Sequence, residues 1–144
     1  MSDMPFIQVE VTLRFQRNLR KLAKKYPKIH DDIQPVIEQL QQGEILGDCI
    51  PKIGYEVFKL RVKNSDIQKG KSGGYRLIYY VKTATAIILL TIYAKSEQAD
   101  ISPDDIQRII SEYESERLTL ISKNLSLHIL ILRSFPVIEV NLNQ

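Results

Sequence analysis

One cysteine, Cys49, is all the chain has. It cannot close an internal disulfide, and such sparing use fits a reducing cytoplasm. Histidine is almost as scarce: His30 and His128 stand far apart, so no zinc-ligand spacing exists and no metal site is expected. No apolar run reaches the length of a membrane span, so no membrane partner is expected either. The opening residues, MSDMPFIQVEV, carry no basic leader followed by an apolar stretch, which argues against secretion. What is present suffices for one core, since 44% of the 144 residues are hydrophobic, the amount a single domain needs.

Net charge is only +3, but it is unevenly spread. From Lys52 to Lys82 there are eight Lys or Arg against two acids, a local net of +6. From Glu97 to Glu116 there are seven acids against Arg108, a local net of −6. A second basic cluster, RFQRNLRKLAKK, occupies residues 14–25. Segregation of this kind suggests a face for a polyanion with an acidic element elsewhere, although a well-solvated surface gives the same pattern.

The periodicity sorts the chain into elements. Residues 6–11, FIQVEV, alternate and read as a short strand. Thr12 can cap a helix carrying Leu13, Phe15, Leu19, Leu22 and Ala23. After Tyr26-Pro27-Lys28 a second helical pattern runs through Ile29, Ile33, Val36, Ile37 and Leu40 to Gly43, with Pro35 expected to kink it or to mark its first turn. A loop, GEILGDCIPKIG, follows. The period then becomes two: Phe58, Leu60 and Val62 point one way, and Lys59, Arg61 and Lys63 the other. Residues 75–81 and 86–94 are rich in β-branched and aromatic side chains, as strands should be. Ser102, Pro103, Asp104 and Asp105 then start a last helix. The expected order is β-α-α-β-β-β-α, an α+β fold with an N-terminal helical hairpin packed on a small antiparallel sheet. Residues 1–116 are taken as that domain. Residues 117–144 are a Leu/Ile-rich extension without glycine, in which Leu125, Leu127, Ile129 and Ile131 suggest an extra strand of no assigned role.

Gly70-Lys71-Ser72 is the closing triplet of a Walker A phosphate loop, but the glycine needed five places earlier is Ser65. Such a loop works by wrapping phosphates with the N-terminus of a following helix. Here GGYRLIYYV follows, which is strand, so nucleotide hydrolysis is not expected. Read as a β-hairpin, the same stretch places Lys59, Arg61 and Lys63 on one face, successive residues of the set about 6.5–7 Å apart. On the partner strand Arg76, Ile78 and Tyr80 share one face, and Tyr75, Leu77 and Tyr79 the other. If the register puts Arg76 on the Lys59/Arg61 side, the sheet carries a cation cluster flanked by an aromatic ring. Guanidinium groups hold phosphate bidentately and tyrosines stack on bases. The alternation equally describes the wet face of a half-exposed sheet.

The run VFKLRVKNSDIQKGKSGGYRLIYYVKTATAIILLTIYAKSE, followed by a capped helix, resembles the RelE/ParE superfamily of toxins from bacterial type II toxin–antitoxin modules. It most resembles the RelE-like branch, with its KGKSGGYR hairpin and YxKxE strand end, from about Val11 to Glu114. The resemblance implies a cytoplasmic toxin neutralised by a cognate antitoxin protein, working without a cofactor. RelE-like members cleave mRNA in the ribosomal A site without metal, whereas ParE-like members inhibit DNA gyrase. The family's catalytic cations match Lys59, Arg61 and Arg76. A further arginine of the family falls at Ser96 and a tyrosine near Ser102, so Lys95 and Tyr93 are the candidates to stand in. Lys63, Lys69, Lys71, Tyr80 and Tyr93 are the candidate RNA-binding residues. With no histidine in the quoted run and no carboxylate cluster on the sheet, histidine acid–base and two-metal hydrolysis lack candidates. The expected chemistry is attack by the RNA's own 2′-hydroxyl, with Arg61 and Arg76 on the phosphate, Lys59 taking or orienting the hydroxyl proton, and Lys95 assisting. A ParE-like gyrase inhibitor and an inactive, antitoxin-binding homologue are the alternatives.

Overall fold

The computed structural model describes residues 6–67 and 73–123. Strand β1 (Gln8–Val11) leads directly into helix α1 (Leu13–Lys25). Thr12 makes that junction: its hydroxyl oxygen accepts from the Phe15 N–H at 2.9 Å and its O–H donates to the Leu90 carbonyl at 2.8 Å. One side chain therefore satisfies an orphan amide of the helix and ties the helix start to the sheet. Helix α2 (Ile29–Gln41) follows after three residues, with Asp31 and Asp32 against its positive end. Pro35 lies inside α2 on an exposed position, and the helix continues past it.

Four strands and a helix follow among the described residues: β2 (Asp48–Ile50), β3 (Val57–Val62), β4 (Tyr75–Thr83), β5 (Ala86–Ala94) and α3 (Pro103–Lys123). The Ser102 hydroxyl accepts from the Asp105 N–H at 3.1 Å, and Pro103 takes the first helical position, as expected. Helix α3 runs on past residue 116 to Lys123, while the alternating pattern beyond residue 124 lies outside the described residues.

The sheet order is β1-β5-β4-β3-β2. Strands β3, β4 and β5 form the expected antiparallel meander. Two features differ from the sequence reading. Strand β1 pairs parallel with β5, from Gln8 opposite Ala86 to Val11 opposite Leu89, so the sheet is mixed. A parallel neighbour needs a long crossover, and the whole chain from α1 to β4 supplies it. The segment expected to be loop contributes β2, which pairs with β3 from Asp48 opposite Lys59 to Ile50 opposite Val57. Three residues are too few to display a period. Gly47, at φ +87°, makes the approach possible, because a Cβ there would lie 2.4 Å from the Lys59 carbonyl oxygen.

Each face of the sheet is covered. Phe15, Leu19 and Leu22 of α1 and Ile29, Ile33, Ile37 and Leu40 of α2 pack on Val9, Val62, Leu77 and Tyr79. On the other face Ile106, Ile109, Ile110 and Tyr113 of α3 pack on Val57, Ile78, Tyr80, Ile88 and Leu90. The alternation of β4 accounts for both: Tyr75, Leu77 and Tyr79 serve the first core, Ile78 and Tyr80 the second. The acidic stretch does not stand apart from the basic ones but is laid against them. Arg14 pairs with Glu112 at 3.2 Å and Lys82 with Glu114 at 3.1 Å, while Glu10 accepts from the Tyr113 hydroxyl and pairs with Arg117 at 2.9 Å. Helix α3 is thereby fastened to α1, β4 and β1. No helix among the described residues is long and apolar enough to cross a membrane.

Candidate functional site

The β3–β4 register is what builds the site. Arg61 lies opposite Arg76, and Lys59 opposite Ile78. Directly opposed residues share a face, with Cβ atoms about 4.5–5.5 Å apart, so Lys59, Arg61 and Arg76 stand together on the α3-facing side. On the next strand Arg76 is opposite Tyr93. A row Arg61–Arg76–Tyr93 thus crosses three strands. Along this face the sheet grades from apolar, where α3 covers Val57, Ile78 and Tyr80, to cationic at Lys59, Arg61 and Arg76.

The cations differ in setting. Arg61 is exposed and Lys59 half-buried, but Arg76 is only 6% exposed. Its Nη1 donates to the Tyr75 carbonyl at 3.1 Å, and no carboxylate of the described residues lies within ion-pair reach of it. A buried cation without a counter-ion is costly, and a like charge directly across the strand adds to the cost. An arrangement of this kind is relieved by an anion bound between the two guanidinium groups.

A carboxylate already stands near that place. The segment joining β5 to α3 carries Asp100, whose Oδ1 is 3.0 Å from Lys59 Nζ and 3.4 Å from the Tyr93 hydroxyl. The Lys59 hydrogen bond, with its charge, holds the Asp100 carboxyl below the usual carboxylate range, and Lys95 adds a more distant pull. Burial, and then the Asp100 charge, push the Tyr93 hydroxyl up. At its start the same segment is anchored by Glu97, which pairs with Lys25 at 2.8 Å and accepts from the Tyr26 hydroxyl at 3.0 Å. The Lys25 bond holds the Glu97 carboxyl low.

The other predicted residues fall as follows. Lys95 is half-buried just beyond β5, and Lys63 is exposed just beyond β3. Tyr93 is 5% exposed and offers the site its hydroxyl rather than its ring. Tyr80, expected at a nucleic-acid surface, is instead 3% exposed beneath α3, with its ring edge-on to Tyr55 at 5.7 Å. Alternation alone cannot separate a wet end of a strand face from a covered one. Lys69 and Lys71, with the Gly70-Lys71-Ser72 triplet, lie outside the described residues. Ser96 is exposed after β5, and Ser102 is occupied as the α3 cap. The residue that the sequence reading passed over is Asp100, counted there only as one acid among seven. Its position between a YxKxE strand end and a helix cap was the available signal.

A family model described as the RelE toxin of the RelE/RelB toxin–antitoxin system matches residues 13–130. The match includes every element from α1 to α3 and every side chain of the cationic row. An N-terminal helical hairpin, a sheet with a basic end and a matching family model agree: the chain belongs to the RelE toxin family.

Proposed function

We propose that this toxin is an endoribonuclease that cleaves mRNA, at the ribosome, by metal-independent attack of the 2′-hydroxyl on its own phosphate. The observation that carries the proposal is that Arg61 stands opposite the buried Arg76, which has no counter-ion among the described residues, with Lys59 on the same face. In the reaction the 2′-oxygen forms a bond to phosphorus as the bond to the 5′-oxygen breaks. The products are a 2′,3′-cyclic phosphate and a 5′-hydroxyl end; one proton leaves the 2′-hydroxyl and one reaches the departing oxygen. Arg61 and Arg76 hold the non-bridging oxygens, where charge builds in the pentacoordinate state. Lys59 orients the attacking hydroxyl, and Lys95 assists from the end of β5. Lys63 lies further along the backbone path and contributes docking that weakens with salt. The cognate antitoxin, the partner that family membership gives this chain, would silence the activity by covering this end of the sheet.

The test is expression without antitoxin, followed by sequencing of 5′-hydroxyl RNA ends. The intact chain should generate new ends within coding regions. Arg76→Ala, checked for folding by circular dichroism, should lower their yield by about 10²–10³-fold, the loss that follows removal of one oxyanion donor. No new ends from the intact chain, or undiminished ends from the variant, would overturn the reading. A supercoiling assay on gyrase, run beside it, reports the alternative target.

A further inference from the structure

The Asp100 carboxylate bridges two side chains of the cationic face, Lys59 and Tyr93. Lys59 is on β3 and Tyr93 on β5, with β4 between them. Two strand spacings separate those backbones by about 9.5 Å, yet one oxygen of Asp100 reaches both side chains, at 3.0 and 3.4 Å. That oxygen therefore joins side chains from the two strands that flank β4, the strand that carries Arg76. Nothing in the local sequence requires this: Asp100 precedes the α3 cap by two residues, and its side chain is 63% exposed, free to turn to water.

From this geometry we infer that Asp100 is an internal stand-in for the substrate phosphate, a displaceable anion that competes with RNA for Lys59 and sets the affinity of the site. The identity of the competing anion, an RNA phosphate, rests on the endoribonuclease reading. Three features fit a competitor better than a proton acceptor. The carboxyl is held low by the lysine, which makes it a poor base. The ion pair is exposed on the aspartate side, where such pairs hold weakly and can be exchanged. The carboxylate neutralises one cation of a cluster that has another, Arg76, without a counter-ion among the described residues. In the empty site the cations would otherwise repel one another. Entry of a phosphate breaks the Lys59–Asp100 contact and releases the carboxylate to solvent, so only an anion with stronger contacts than one carboxylate is admitted. Asp100 is thus a specificity-determining residue that favours a polyphosphate strand over small anions.

The experiment uses the full chain and a labelled, uncleavable single-stranded RNA carrying 2′-O-methyl riboses, with fluorescence anisotropy as the readout. Asp100→Asn keeps the shape and removes the charge. It should tighten binding about two- to fivefold at low salt, the weight of one exposed ion pair. The gain should vanish in the Lys59→Ala background, as a double-mutant cycle requires for a direct coupling. On cleavable RNA the same variant should lower KM and leave kcat unchanged. Binding that is unchanged or weaker in Asp100→Asn, a gain that survives Lys59→Ala, or a fall in kcat would each sink the inference. The two readings fail separately. A binding gain without cleavage by the intact chain removes the nuclease and keeps the competitor. Cleavage without a binding gain does the reverse.

Discussion

Arg61 and Arg76 stand directly opposite each other across an antiparallel pair, one exposed and the other almost enclosed. Like charges directly opposed destabilise a sheet, so the arrangement works against stability and in favour of anion binding. Replacing Arg61 with Thr, a strand former without charge, should therefore stabilise the fold. The expected gain is about 0.2–1 kcal/mol, read as a higher urea midpoint, together with loss of RNA cleavage. Lower stability would mean that the Arg61 stem contributes more by packing than its charge costs. The chemical type of these residues was legible from the alternation of Lys59, Arg61 and Lys63 and from the GYR triplet. Their partners were not. That Arg76 is buried, that Tyr80 belongs to the core and that Lys59 already holds a carboxylate all depend on what another element places above them.

The β3–β4 hairpin sets the spacing of the cations, and its closed end leaves no room for a side chain. A Cβ at Gly74 would lie 2.4 Å from the Val62 carbonyl oxygen, a backbone atom that cannot yield without shifting the strand. The Lys95 N–H also donates to the Gly74 carbonyl at 2.9 Å, so three strand ends meet there. Gly74→Ala should cost about 1–3 kcal/mol, as overpacking does, and should move Arg76, two residues on, out of line with Arg61. Thermal unfolding would show the first effect, and loss of RNA binding in the remaining folded protein the second. A variant with unchanged melting temperature and affinity would refute the close approach. At this scale the sequence was most informative where interactions stay within a few residues. Thr12 and Ser102 cap their helices through bonds to Phe15 and Asp105, each three residues ahead. Strand β2 escaped notice because three residues carry no period, and its evidence lies in its partner.

For the molecule as a whole, titration reports how the layers close. Five tyrosines, at 75, 79, 80, 93 and 113, are held above the ordinary phenol range, in each case chiefly by burial. A folded pKa raised above the unfolded value contributes stability that is complete below about pH 10 and lost as pH rises through the folded values. Stability should thus fall steeply above pH 10, and tyrosinate absorbance at 295 nm should lag that of the urea-unfolded chain. Coincident native and unfolded titration curves would contradict the burial. On the acid side the signs reverse: Glu97 and Asp100 are held low by Lys25 and Lys59, and their contribution is lost as pH falls through the folded values. Both carboxylates are exposed, so this loss is the smaller. The sequence by itself determined the element types other than β2, the two faces of β3 and β4, the helix caps and the resemblance to a toxin family, because each rests on neighbours in the chain. Only the tertiary structure decided that β1 runs parallel to β5, that α3 covers the apolar half of a strand face, and that Asp100 reaches Lys59. Those outcomes join residues tens of positions apart, where the balance of chain entropy, burial and charge is struck by the closed fold and not by any local pattern.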